Sequence, residues 1–407
     1  MREGFVRLGR IVIAALMLAV GAAPAHAIPA FARKYRVSCS MCHAPAPRLN
    51  DMGEVFAANG FEIVRGEKPA DTIATGDPLL RLQRDIPLAV RVDAYLQALT
   101  KRTPGESQSD MQVPWVVKLL SGGQVANNVS YYMYFLASER GEVVGLEDAY
   151  IQFTDIASTG VSLIAGQFQI SDPLFKRELR LQYEDYQPYR VRVGEASADL
   201  TYDRGLMAMW SPRSGTDVTV QLVNGRGLNA GSSSRQYDRD PFKNTGFRLS
   251  QDAGPLRIGG FGYFGRERSE GIRNTISVYG PDATVKLGSI GELNLQLLRR
   301  TDSNPFFTSA AAGSTVDAAM AEVIYWPQGW NGRWFFAGLY NYIDANRPVI
   351  SLRLGEQNTE AGYLQRYHTG SLGAHYLLNR NIRLLGEAGW DFELDRARLV
   401  TGFTMAF

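Results

Sequence analysis

About sixteen stretches of this chain alternate apolar and polar side chains, and most of the links between them are by turns long and short. From Val90 to Ala98 one face reads Val90, Val92, Ala94, Leu96, Ala98 and the other Arg91, Asp93, Tyr95, Gln97. Far downstream, Ile382, Leu384, Gly386, Ala388 and Trp390 alternate with Arg383, Leu385, Glu387, Gly389 and Asp391. A period of two is the mark of a β-strand with two unlike faces. The pattern predicts strands near 86–99, 111–123, 128–138, 146–154, 161–170, 199–210, 216–224, 244–251, 255–265, 275–287, 292–300, 315–326, 332–343, 361–378, 381–391 and 397–407.

Alternation alone suits a soluble sandwich, with the apolar side on a core, or an outer-membrane barrel, with that side on lipid and the polar side on a wet lumen. Connection length separates the two. Residues 100–110, 171–198, 225–243, 301–314 and 343–360 form long links, and 124–127, 211–215, 252–254, 327–331 and 379–380 short ones. Short turns at one end, longer loops at the other and an even strand number belong to outer-membrane barrels. Leu399, Thr401, Phe403, Met405 and Phe407 add a closing strand ending on an aromatic residue, and Trp210, Trp326, Trp330 and Trp390 suit interfacial girdles or plain strand propensity. The expected fold is therefore all-β: a transmembrane outer-membrane β-barrel of about 16 strands, placed in the bacterial outer membrane among its lipids.

The first 27 residues read as an export signal. Arg2, Arg7 and Arg10 precede an apolar run from Ile11 to about Ala22, and Ala25-His26-Ala27 offers a cleavage site. The run is short for a membrane span, the alternative being an uncleaved anchor. No second long apolar run follows, which excludes a helical membrane protein. Once the signal is removed, basic and acidic residues balance, and charge gives no case for nucleic acid.

Residues 28–80 differ from the barrel region, 81–407. They contain Cys39-Ser40-Met41-Cys42-His43, with the only two cysteines in 407 residues. Two thiols three positions apart, followed at once by an imidazole, can bind one haem c covalently through Cys39 and Cys42 while His43 ligates the iron. A disulfide would leave His43 unexplained, and zinc would want further ligands that His368 and His375 supply poorly. Those two histidines differ by seven on or near one strand, so at most one faces the lumen. Leu49, Met52, Val55 and Phe56 predict one face of a short helix, capped by Asn50 and ended by Asn59-Gly60. Met52 is the nearest soft candidate for a sixth haem ligand, or else a helix-face residue packing on the haem edge. A segment this small needs haem to complete its core and a neighbour to cover it. No catalytic constellation or phosphate loop occurs.

Phe31-Ala32-Arg33-Lys34 before the haem motif, and Pro47-Arg48-Leu49-Asn50 with Gly53, Phe56, Asn59 and Gly60 after it, resemble the fused monohaem cytochrome c–porin family of the bacterial outer membrane, which includes iron oxidases. The detailed resemblance covers residues 28 to 62; beyond that it is one of architecture and length. It implies a small helical haem segment plugging the barrel and electron transfer from extracellular Fe(II), or another extracellular redox partner, to a periplasmic c-type cytochrome. The chain would then be an Fe(II)-oxidising cytochrome. The longest link, 171–198, is the third outer loop by the alternation, and in sixteen-stranded porins that loop commonly folds inward; a solvated loop is the other reading. Two other functions stand beside electron transfer: a solute porin whose haem segment is a plug or redox gate, and a soluble secreted cytochrome with a β-sandwich.

Overall fold

The computed structural model describes residues 30–63, 72, 73, 75–77, 79, 80, 82, 83, 86–103, 105–352 and 362–407; the export signal lies outside them. Sixteen antiparallel strands close into one barrel in chain order. They are β1 Leu88–Leu99, β2 Ser109–Ala126, β3 Val129–Glu139, β4 Gly145–Phe153, β5 Val161–Gln169, β6 Tyr202–Arg213, β7 Thr216–Val223, β8 Asn244–Ala253, β9 Leu256–Ser269, β10 Ile272–Lys286, β11 Gly291–Asp302, β12 Ser314–Tyr325, β13 Trp334–Ala345, β14 Arg366–Asn379, β15 Ile382–Asp391 and β16 Arg396–Ala406. β16 pairs with β1 from Arg398↔Leu99 to Ala406↔Arg91, and Phe407 and Val90 then exchange N–H···O bonds of 2.8 and 2.6 Å. Closure leaves the barrel no unpaired edge, the condition for strands to cross lipid.

The period-two pattern sorts side chains as expected. On β12 and β13, Met320, Glu322, Ile324, Leu339, Asn341 and Ile343 point inward and are buried, while Val323, Tyr325, Phe336 and Tyr340 lie on the outside. Leu222, Phe247, Leu249, Ile258, Phe264, Leu297 and Leu399 continue that outer belt. Apolar side chains facing outward around a closed even-stranded barrel make a lipid-facing wall of the outer-membrane type. Trp210 and Trp390 are half exposed on this surface; Trp330, in the link 326–333, meets Trp326 edge-on at 5.7 Å and lies beside Cys39 and His43, and Trp326 is buried and donates Nε1–H to the Ser289 carbonyl at 2.6 Å, so these two are packing residues and not girdle members.

Both ends of the barrel sequence lie at the end carrying the turns 127–128, 214–215, 254–255 and 380–381. That end faces the periplasm. The alternation of link lengths is not strict. Glu270-Gly271 closes β9 and β10 on the loop end with positive φ at both residues, a tight hairpin, because these long strands absorb residues that would otherwise form a loop. On the turn end, 154–160 and 326–333 are longer than a hairpin requires.

The third loop, 170–201, folds into the lumen. Asp185 there holds Arg177 at 2.5 Å and Arg190 at 2.8 Å, and Arg398 of β16 pairs with Glu184. Tyr186 donates its hydroxyl to Glu322 at 2.7 Å, and the Glu387 carboxylate accepts from the backbone N–H groups of Tyr183 and Glu184. Val191–Val193 also pairs with Ile350–Leu352 of the seventh loop. Phe175, Tyr186, Tyr189, Val191 and Val193 pack against Ile276, Val278, Met320 and Ile343 of the wall in one buried cluster. The wet lumen expected from the strand pattern is therefore filled at this level, because an aromatic loop covers the inward faces of the wall.

Candidate functional site

The N-terminal segment sits in the turn-end mouth. It comprises α1 Ala30–Tyr35, a 3₁₀ turn Cys39–Met41 and α2 Asp51–Ala58. Asn50 caps α2 as its sequence predicts, accepting the Gly53 N–H at 2.9 Å, and Gly60 follows with φ +72°. Phe56 is buried as expected, whereas Val55 is 52 % exposed and belongs to no packed face. Gly53 has a reason to be glycine: a Cβ there would lie 2.2 Å from the Cys42 carbonyl oxygen, so only a bare backbone lets α2 approach the thiol turn this closely.

The barrel covers the segment. Phe31 stacks on Phe61 at 5.0 Å and meets Phe56 edge-on at 5.2 Å, and Phe61 stacks on Tyr132 of β3 at 5.5 Å. Arg48 reaches Glu292 of β11 at 2.5 Å and Glu322 of β12 at 3.3 Å. Gln152 donates to the Ala58 carbonyl at 2.8 Å, and Arg33 to the Leu88 carbonyl at 2.5 Å. These contacts hold the plug to several separate strands.

Cys39, Cys42, His43 and Met52 line one largely apolar cavity of about 350 Å³ between the plug and the wall, with Phe31, Leu49, Phe56, Tyr132 and Tyr150 around it. That is the scale of a small-molecule site. Both cysteines are free, and burial pushes both thiols up, so neither is an activated thiolate at neutral pH. His43 Nδ1 lies 2.7 Å from the Pro47 carbonyl oxygen. A carbonyl only accepts, so Nδ1 carries the proton and the lone pair is on Nε2, the form that ligates metal. Burial also lowers the His43 pKa against the opposing pull of the Pro47 and Arg48 carbonyls, keeping the ring neutral. Half-buried Met52 lines the same cavity, so all four residues singled out by sequence are brought together.

These residues fit a covalently bound haem: two free thiols, a neutral oriented imidazole and an apolar chamber that reaches a buried guanidinium, Arg383, whose Nε has no partner. Among the described residues no group of three or more His, Cys, Asp or Glu could hold a metal ion, so the zinc reading finds no further ligands. Of the two distant histidines, His375 points into the lumen and is fully buried, whereas His368 stacks on Phe392 at 4.1 Å on the outside. Sequence reasoning missed the barrel's share of the cavity, including Arg91, Lys118, Tyr132, Asp148 and Arg383. Their alternation marks them as inward, but nothing local says which of many inward residues lie beside the plug.

No protein-family model and no curated protein matches this sequence. Solved structures share its fold. The anion-selective porin from Comamonas acidovorans is 11 % identical, with a TM-score of 0.54 over 79 % of this chain and 99 % of its own. The outer membrane channel DcaP of Acinetobacter baumannii is 10 % identical, with a TM-score of 0.53 over 79 % and 97 %. OmpF of Salmonella typhi, in complex with daunomycin, is 12 % identical, with a TM-score of 0.52 over 79 % and 98 %. At these identities the likeness is one of fold, and the chain is a sixteen-stranded barrel of porin architecture in the bacterial outer membrane.

Proposed function

We propose that the protein is an outer-membrane electron-transfer barrel, in which one c-type haem is bound through Cys39 and Cys42, with His43 on the iron, in the periplasmic mouth. The observation that carries this reading is a ligand chamber at the haem motif combined with a lumen packed above it. A solute channel needs a continuous water path, yet lumen-facing Asn274, Asn294, Glu322 and Asn341 are 0 % exposed. When bound, haem supplies one-electron chemistry tuned by its axial ligands and burial. His43 would offer Nε2 to the iron because Pro47 holds Nδ1, and Met52, which lines the same cavity, would either add its sulfur or pack against the group. The barrel wall excludes water, and the turn-end position favours direct exchange with a periplasmic c-type cytochrome.

Fe(II) as the extracellular donor rests on the resemblance to cytochrome–porin fusions. One electron leaves the donor, which becomes Fe(III), and one electron passes to the periplasmic partner; no bond is made or broken. The test is a reduced-minus-oxidised spectrum of the outer-membrane fraction titrated with Fe(II). Growing c-type bands are expected. Protein without covalent haem removes the electron-transfer reading, and haem that stays oxidised removes the donor.

A second reading, a solute porin with the haem segment as plug or redox gate, is favoured by the fold likeness to porins. Planar-bilayer conductance separates the two: large open-channel currents from the intact chain support transport, whereas a silent barrel with reducible haem supports electron transfer.

A further inference from the structure

One charge at the cavity is not answered by the protein. Arg383 projects inward from the second residue of β15, is 4 % exposed and lines the cavity with the thiols. Among the described residues its Nη1 and Nη2 make only long contacts, 3.4 Å to the Ala46 carbonyl and 3.4 Å to Thr404 Oγ1, and Nε has no partner. Three other cavity cations are matched: Arg91 with Asp93 at 2.9 Å, Lys118 with Glu178 at 2.5 Å and Lys176 with Glu54 at 3.4 Å. Among the described residues Arg383 has no such carboxylate within 4.0 Å. Arg380, the other arginine at this end of the cavity, is exposed and donates to the Asn331 carbonyl at 2.8 Å.

A buried guanidinium without a counter-charge is strongly unfavourable, so the chamber is built to receive an anion at this edge. Its other walls are mostly apolar and its thiols are a covalent anchor, which together call for a flat apolar body carrying a carboxylate. We propose that Arg383 is the binding residue for a propionate carboxylate of the haem, holding it through the planar guanidinium fork. Such a fork suits two parallel N–H···O bonds better than the single ammonium of lysine. The contacts to Ala46 and Thr404 then aim the fork, one from the plug and one from β16. This inference rests on the haem reading above.

The test uses full-length holoprotein with Arg383→Gln and Arg383→Lys, reading attached haem and midpoint potential. A cation beside the haem favours the reduced form, which carries one positive charge fewer. The Gln variant should keep its haem while its equilibrium constant for reduction falls roughly tenfold, the effect of one charge ~10 Å away at an effective dielectric near 20. For one electron that is a potential about 59 mV more negative. The Lys variant should recover most of the shift. An unchanged potential overturns the inference, and so does a Gln variant whose propionate bending band in resonance Raman stays where the wild type has it, the result expected if Arg383 merely pins Ala46 and Thr404. Should the Gln variant not assemble, the wild-type propionate bending band in resonance Raman decides: a shift in D2O supports a hydrogen-bonded carboxylate, and no shift overturns it. Wild-type protein lacking covalent haem removes the function itself, a different failure from attached haem with an unmoved potential.

Discussion

The Pro47 carbonyl oxygen lies 2.7 Å from His43 Nδ1, and this contact decides which ring nitrogen can serve a metal. Replacing the ring removes the nitrogen that the local fold presents. His43→Ala is expected to leave the barrel assembled but to lower covalent haem content sharply, and any haem retained should differ from the wild type in its absorption spectrum. Haem stain on a gel, set beside the heat-modifiable migration of the barrel, reads both effects. A wild-type spectrum in this variant removes His43 from the iron.

Gly53 faces two opposed effects. Alanine is intrinsically better in a helix by about 1 kcal/mol, but its Cβ would sit 2.2 Å from the Cys42 carbonyl oxygen, which is backbone and gives way poorly. Overpacking of this kind costs about 1–3 kcal/mol or more, so the clash wins. Gly53→Ala should move the thiol turn off α2 and cut haem attachment several-fold with the barrel intact; unchanged attachment would show that the turn can shift freely.

Much of this architecture is legible from a period of two. All sixteen strands lie close to their expected positions because an inward or outward residue cannot slip by one place without exchanging lipid for lumen. The inward third loop is legible in part: Phe175, Leu179, Tyr183, Tyr186 and Tyr189 suggest a link that packs against something, but a solvated loop stays open until the wall residues that meet it are known. The half of the site made by the barrel is not. Arg48 meets Glu322, and Ala46 meets Arg383, across hundreds of residues, and only closure of the barrel around the plug sets those pairs. Val55 and Trp326 fail for a related reason: periodicity locates a face, but the neighbour that covers it comes from elsewhere.

Asp172, at the start of the inward loop, makes the plug contact depend on pH. Burial pushes its carboxyl up to about 6, with Glu54 and Glu178 adding to the rise and Lys176 and Arg177 opposing it; Asp148 of β4 also faces this group. The folded state therefore holds the proton more tightly than an unfolded chain, whose aspartate titrates near 3.9. Stability falls as pH rises between those values, and the loss is complete above about pH 6. Protease nicking between the loop and the plug should increase from pH 5 to pH 7, and Asp172→Asn should flatten the profile near its low-pH level. A wild-type profile that does not change over this range removes the assignment.

Arg48 gives the sharpest test of how the plug is held. Its guanidinium joins the plug to Glu292 and Glu322, and the Glu322 side chain is fully buried. Removing the cation leaves two inward carboxylates facing each other, with Tyr186 and Asn294 still donating to Glu322 at 2.7 and 3.0 Å. Breaking a buried pair in this way costs about 3–5 kcal/mol, whereas replacing both partners by neutral groups of similar size costs far less. Arg48→Met alone should therefore release the plug, seen as faster proteolysis of residues 30–63. Arg48→Met combined with Glu322→Gln and Glu292→Gln should restore most of the protection. If the single variant protects as well as the wild type, the ion pairs do not retain the plug, and the aromatic contact of Phe61 with Tyr132 and the hydrogen bonds of Gln152 and Arg33 hold it instead.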